Sequence, residues 1–525
     1  VHKGYEFSIE GATRQESGQA SVEIFGMNDF HGSVLPTELG EDSLPEAGLI
    51  RMGTFIKAQT NKENTLFFDQ GDTWQGSLES NTNRGELVQK VFAAAGLNLR
   101  TVGNHDFDWG VERLMQTNAI KYNNYSIPCL AANVYDFDWE TKTVGETQQS
   151  DIGLEYATFT VENGLKIGVV GVIGNSQIKS ISTQMVKNIT FTDHFKKIKE
   201  MSDYLRTDKD CDIVMATMHD AYDEYTYKKL TDISENSGKR YVDLVFNGHS
   251  HQNVSEELHG VIFSQWGRNS EYTGSVKLTY DFDAESVVPS TLDDRTSYNA
   301  KYMDVYYPNN DKEIENLVNT SLAEIESLRT QVLSENFVGS FISDSKNKIF
   351  SLPNLMAEAI YEEALDEGID IDISLCNGAR ASIDKSIVTY SDIYRSFPFD
   401  NEIPILQGRC GDAYTTLTLN STNTVKSIVT GNGTTNVETG STTLGADLTQ
   451  DELNISSGAT LTNNATATAQ LHNSGSISGS GSLELKETSV NDTDASIEQN
   501  QLKILSDATF TNDGSATSNT NFQNN

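Results

Sequence analysis

Five short apolar runs in the first half of the chain each stop at a loop built from histidine, aspartate or asparagine. Val22–Met27 runs into Asn28-Asp29-Phe30-His31-Gly32, and Thr65–Phe68 into Asp69-Gln70-Gly71-Asp72. Leu99–Val102 is followed by Gly103-Asn104-His105-Asp106-Phe107-Asp108, Ile213–Met218 by His219-Asp220, and Val242–Phe246 by Asn247-Gly248-His249-Ser250-His251. Runs this short, β-rich and bounded by Gly, Asn or Asp read as buried strands, and Ile167–Ile173 is another. Gly85–Ala95 and Phe191–Leu205 between them carry helical periodicity. Residues 21–290 are therefore expected to form a layered, mixed α/β domain. In such folds the loops after strand carboxyl ends are where sites are built.

The histidines sharpen the expectation. The chain has nine, and five of them (His31, His105, His219, His249 and His251) lie in these loops. Histidines scattered through core and surface would not concentrate in this way. Imidazole and carboxylate ligands without cysteine suit Zn²⁺, Mn²⁺ or Fe in a reactive site better than a structural zinc site. His249 and His251 are two residues apart, as in a loop wrapping a metal. Two ions about 3.5–4 Å apart need a shared ligand, and a carboxylate such as Asp72 can bridge. The net charge of −37 excludes a basic binder of nucleic-acid polymers. An acidic protein that handles phosphate esters needs local positive charge, which bound metal ions supply.

Beyond the first domain the organisation changes twice. Residues 291–334 read as a linker whose polar stretch Asp311–Val332 forms an exposed helix. Residues 335–407 read as a second α/β segment, with an amphipathic helix near Asn354–Ala364 and a strand at Ile371–Leu375. From Gly411 onward, 62 of 115 residues are Ser, Thr, Asn or Gly, with no Arg, Pro or Trp. Leu453–Asn463 lines up with Leu502–Asn512. Alternation with an internal repeat fits a β-solenoid over 408–525. A disordered low-complexity tail is the alternative, and the register of the repeated Leu, Ile and Ala favours the solenoid. The four cysteines (Cys129, Cys211, Cys376, Cys410) form no CxxC pair and read as buried free thiols, with a Cys376–Cys410 pair as the alternative if the fold brings them together. No basic-then-apolar leader follows Val1, so either a signal peptide has been removed or the chain is a fragment. Residues 1–20 read as an N-terminal extension. No run of about 18 apolar residues is present to span a membrane. Scarce cysteine, acidity and a repetitive polar tail suit an exported, extracytoplasmic protein.

The ordered set Asp29-Phe30-His31-Gly32, Gly71-Asp72, Gly103-Asn104-His105-Asp106, His219 and Gly248-His249-Ser250-His251 resembles the five blocks of the calcineurin-like metallophosphoesterases. Asn104–Asp108, Asn377-Gly378-Ala379-Arg380 and Pro398-Phe399 are similar to the 5′-nucleotidase branch, and the resemblance covers about Val22 to Gln407. It implies an α/β/β/α metallophosphoesterase domain, a linker helix and a nucleotide-binding domain, here truncated. It also implies two divalent metal ions. Asp29, His31, Asp72 and His251 would hold one ion, and Asp72, Asn104, His219 and His249 the other. His105, oriented by Asp108, would face the substrate phosphate, and Asp106 would be structural. Asn377, Arg380 and Phe399 would bind the nucleoside side. The implied activity is hydrolysis of nucleoside 5′-monophosphates by a hydroxide activated between the metals. A 2′,3′-cyclic-nucleotide phosphodiesterase/3′-nucleotidase or a UDP-sugar hydrolase would share the same metal site. The tail resembles repeat regions of bacterial surface adhesins, which implies cell-surface contact. A surface-binding protein with a vestigial enzyme domain is the alternative from another class.

Overall fold

The central strands are buried on both faces, and their side chains sort by parity. In Gln19–Met27, Val22 and Ile24 enter one core while Phe25 and Met27 enter another. The same rule separates Leu66 and Phe68 from Phe67, and Ile213 and Met215 from Val214, Ala216 and Met218. Successive strand side chains point to opposite faces, so a strand apolar at every position must be covered twice. The outcome is four layers: helices, sheet, sheet, helices.

This computed structural model describes residues 2–37, 44–149, 151–302, 309–336, 352–369, 374, 376, 378–383, 385–399, 416–419, 423–425, 429–430 and 433–524. The chain divides into two compact units, Val1–Leu333 with Thr389–Asn401, and Ser334–Val388 with Glu402–Asn525.

In the first unit, one seven-stranded sheet has at its centre Gln19–Met27, Thr65–Asp69 and Leu99–Thr101, paired in parallel. Tyr272–Asp281 pairs antiparallel with Gln19–Met27 on the other side. The facing seven-stranded sheet carries Lys166–Ile173, Ile213–His219 and Leu244–Asn247 side by side, also parallel. Val22, Ile24, Phe68, Ile167, Val169, Met215 and Phe246 fill the space between the sheets. Helices Gly48–Thr60 and Glu86–Ala94 cover the first sheet through Met52, Phe55, Val88 and Phe92. Helix His194–Thr207 covers the second through Ile198, Met201 and Leu205.

Three boundaries differ from the sequence reading. Residues 1–20 are no extension: Gly4–Ser8 pairs in parallel with Tyr156–Thr160 at the sheet edge. Its side chains are mostly exposed, so no apolar run marks it, and backbone pairing recruits it. The helix expected to be an exposed linker runs Lys312–Glu324, and Asp311 caps it by accepting from the Glu313 and Ile314 amides. Ile314 and Val318, one turn apart, are completely buried in the first unit's core. Leu317 and Leu322 are only partly covered against the same core, so most of an otherwise polar helix is left facing solvent. Helix Tyr390–Ser396 and the Pro398-Phe399 element also belong to the first unit, not to the segment read as a second domain.

In the second unit, helix Leu352–Asp366 encloses the amphipathic stretch read at Asn354–Ala364. Asn377, Cys410, Gly411–Tyr414 and all of the Ile371–Leu375 strand except Ser374 lie outside the described residues. The tail stacks as parallel coils. Thr434 pairs with Glu452 and Glu452 with Gln470, an offset of 18 residues each time. Leu453, Ile455, Leu471, Leu483, Leu485 and Leu502 point inward to a continuous apolar core. Asparagine amides run along the stack: Asn473 Nδ2 donates to Asn491 Oδ1 and Asn491 Nδ2 to Asn512 Oδ1, both at 2.7 Å. Among the described residues, then, the tail is a β-solenoid and not a disordered segment. No helix among the described residues is long and apolar enough to cross a membrane.

Candidate metal centre

Parallel pairing brings the motif loops to one end of the two sheets. Met27 pairs with Asp69 and Asp69 with Arg100, while Met218 pairs with Asn247. The loops leaving these positions converge. Asp29, His31 and His251 form one group of candidate ligands, and Asp72, His219 and His249 a second, with the ligand atoms of each within 4.8 Å of one another. In the first, Asp29 Oδ1 stands 3.4 Å from His251 Nε2 and 3.9 Å from His31 Nε2. In the second, Asn104 Oδ1 lies 3.1 Å from His219 Nε2 and 3.0 Å from His249 Nδ1. Asp72 faces both groups: its Oδ2 is 3.2 Å from His219 Nε2 and 3.9 Å from His31 Nε2.

The backbone here is strained in a way no residue count would reveal. Asp29, His31, Asp72, His249 and His251 all have φ between 49° and 70°. That left-handed region is uncommon for residues with a Cβ, and such residues gather at functional sites where the surroundings hold them. The holding bonds are visible. The amides of Asp29, His31 and Gly32 donate to the carbonyls of Gly71, Asp72 and Thr73 at 2.9–3.0 Å, so the two loops zip together. The His249 amide donates to Asp29 Oδ2 at 2.9 Å. At Gly103 a Cβ would fall 2.2 Å from Asp72 Oδ1, so only glycine permits this approach.

The donor set fits cations. His31 Nδ1 lies 3.0 Å from the Gln75 carbonyl and His219 Nδ1 2.8 Å from the Gln70 carbonyl. A carbonyl only accepts, so each Nδ1 carries a proton and each Nε2 faces the carboxylates, at His31 with a lone pair. Lone pairs facing carboxylate oxygens repel unless positive charge lies between them. Burial pushes His31 down to about 3, so a proton does not supply that charge at neutral pH. Burial also opposes charging of His219, but Asp72 outweighs it and lifts this histidine to about 10. Burial would raise Asp72, yet the surrounding histidines hold it well below the usual carboxylate range.

His105 stands apart from both ligand groups. Its Nδ1 is 2.6 Å from Asp108 Oδ2, which turns Nε2 to the opposite edge of the ring, and its amide donates to Asp72 Oδ1 at 2.8 Å. Phe399 lies against it: the rings are stacked at 4.5 Å between centroids and 15° between planes. Arg380 is exposed and belongs to the second unit, and Asn377 lies outside the described residues.

Sequence reasoning gave Asp106 a structural role but missed its partner Arg100. Asp106 accepts from the amides of Gly103 (2.8 Å), Thr73 (3.0 Å) and Asp72 (3.2 Å), and so ties the Asp72 loop to the Asn104–His105 loop. Arg100 Nη2 meets its carboxylate at 2.7 Å, both side chains are fully buried, and the guanidinium sits 4.0 Å over the Trp74 ring. The signal was an arginine inside the apolar run Leu99–Val102, which requires a buried acid nearby. Asp106→Ala would leave Arg100 buried without that partner. It should cost about 3–5 kcal/mol in unfolding free energy, read from the urea midpoint. A midpoint equal to that of the unsubstituted protein would show that the pair does not hold the loops.

Residues 24–253 match the calcineurin-like phosphoesterase family. The 5′-nucleotidase of Vibrio vulnificus (strain CMCP6) is 23% identical over 424 residues, covering 72% of this chain and 71% of its own. Endonuclease YhcR of Bacillus subtilis (strain 168) is 23% identical over 418 residues, 75% of this chain, but the chain spans only 32% of that protein's length. Among solved structures, a 5′-nucleotidase precursor from Thermus thermophilus superposes with a TM-score of 0.58 at 20% identity, over 72% of this chain and 74% of that one.

Proposed function

With residues 24–253 forming a calcineurin-like phosphoesterase domain, we propose that this protein is an extracytoplasmic, metal-dependent hydrolase of nucleoside 5′-monophosphates. The observation that carries the reading is Asp72, one carboxylate set between two histidine-rich groups, with a further histidine, His105, beside them. The presence of 5′-nucleotidases among its relatives supports the choice of substrate.

In this reading Asp29, His31, Asp72 and His251 hold one divalent ion, and Asp72, Asn104, His219 and His249 the other. Nitrogen and oxygen donors without sulfur favour Zn²⁺ or Mn²⁺. Such ions, when bound, lower the pKa of water and neutralise charge on phosphate. The chain's own residues do the rest. The buried carbonyls of Gln70 and Gln75 aim His219 and His31. Asp108 accepts from His105 Nδ1 and supports the imidazolium form, whose Nε2–H can donate to a phosphoryl oxygen or to the departing alkoxide. Asn377 and Arg380 serve the nucleoside side. Ser334–Val388 supplies a shortened nucleotide-binding segment, and the repetitive tail makes cell-surface contact.

A substrate panel on the metal-loaded protein tests this, with AMP, a 2′,3′-cyclic nucleotide, a UDP-sugar and a small aryl phosphate, each with and without chelator. Chelator-sensitive phosphate release, greatest with AMP, is the expected result. Preference for the cyclic nucleotide or the UDP-sugar would move the assignment to a sibling activity. No release from any substrate would favour a surface-binding protein with a vestigial enzyme domain. Every assigned ligand lies between Asp29 and His251, and a solenoid buries its core between its own coils. Removing residues 408–525 should therefore leave aryl phosphate hydrolysis unchanged. Its loss would show that the tail contributes to the site.

A further inference from the structure

The Pro398-Phe399 element is built to deliver one ring to one place. Helix Tyr390–Ser396 starts on a capping box, in which the Thr389 amide and hydroxyl both donate to Asp392 Oδ2 at 2.8 Å. It stops before Pro398, whose preceding residue is biased out of the helical region. The turn that follows is held by the buried amide of Asn81, whose Nδ2 donates to the Pro398 carbonyl at 2.9 Å and to the Tyr394 hydroxyl oxygen at 2.8 Å. Asn81 Oδ1 accepts from the Gly76 amide at 3.1 Å, next to the Gln75 carbonyl that orients His31. Phe399 thus sits in the angle between two imidazoles. It is stacked on His105 and edge-on to His31 at 6.0 Å and 79°.

The resemblance assigns this ring to a nucleobase. In the observed position no base fits between Phe399 and His105. A sandwiched ring needs two contact distances of about 3.5 Å, roughly 7 Å in all, whereas the centroids are 4.5 Å apart. The stacking does not cover His105 Nε2, because that nitrogen lies in the plane of the ring and not on its face. The Asp108 bond fixes one edge of the imidazole but permits rocking about that bond, and a flat neighbour on the face opposes it.

From this geometry we infer that Phe399 is a positioning residue for His105, acting on every phosphoester the site hydrolyses and not only on nucleotides. The inference rests on the assignment of His105 to the phosphoryl group made above. Misplacement of a reacting group by about 1 Å can cost 10²-fold, so Phe399→Leu should lower kcat about 10–100-fold. The loss should be equal for AMP and for 4-nitrophenyl phosphate, with KM unchanged for the aryl substrate and full metal content by elemental analysis. Phe399→Tyr, which keeps the flat face, should restore the rate. Asn81→Ala, which frees the turn but not the ring, should lower kcat on both substrates in the same proportion. In a His105→Ala background, Phe399→Leu should have no further effect, because the two act as one unit.

Three results would overturn the inference: loss confined to AMP, which makes the ring a base contact only; an undiminished Phe399→Leu loss in the His105→Ala background; or an unaffected aryl phosphate rate in both Phe399→Leu and Asn81→Ala. Failure of the unsubstituted protein to hydrolyse either substrate would instead sink the phosphoesterase reading and this inference with it.

Discussion

Asp72→Asn should leave the protein with less than two equivalents of bound metal and only a small fraction of its rate. The two oxygens of Asp72 have separate duties. Oδ1 accepts the His105 amide, and Oδ2 faces His219 and His31, one from each ligand group. An asparagine can keep one of these but not both with charge. Its oxygen is neutral, and its amide nitrogen would turn hydrogens toward a cation. Both sites therefore lose a shared negative ligand at once. A Lewis-acid metal contributes several kcal/mol of transition-state stabilisation, so the rate should fall about 10³-fold or more. Elemental analysis after dialysis, alongside phosphate release, makes the measurement. Two full equivalents of tightly held metal together with an undiminished rate would show that Asp72 bridges nothing.

His105→Ala should do the reverse, keeping its metals and losing its rate. The substitution removes the imidazole but leaves the backbone amide that donates to Asp72 Oδ1, so the proposed ligand set is untouched. Hydrogen-bond or proton help of this kind is worth about 10²–10⁴-fold. Metal loss in this variant would make His105 a ligand. An unchanged rate on AMP would remove it from the reaction altogether.

The legibility of this protein was uneven, and the unevenness has causes. The motif loops could be read because a buried strand announces itself by an apolar run and a metal loop by its residue types. Neither signal depends on what lies across the fold. Arg100 and Asp106 show the limit. The sequence contains both, six residues apart, yet nothing local says that the carboxylate reaches back to three amides in two loops. Helix Lys312–Glu324 misled because only two of its residues, Ile314 and Val318, are fully buried, with Leu317 and Leu322 partly covered beside them. Gly4–Ser8 misled because an edge strand is held by its backbone, which has no sequence signature.

What the sequence by itself determined was therefore what repeats along the chain. It set the parity of buried strands, the helical stretches between them, the ligand residue types after five strands, and the coil-to-coil pattern of the tail, since periodicity and residue chemistry are one-dimensional properties. The tertiary structure alone decided which groups face one another. It set Asp72 between two histidine groups, bent five candidate ligand residues into left-handed backbone, buried Arg100 against Asp106, and laid Phe399 on His105 from nearly three hundred residues away. Such contacts depend on how parallel strands align their ends and on which loops then zip together. That geometry is paid for by the whole core and cannot be read from any segment of it.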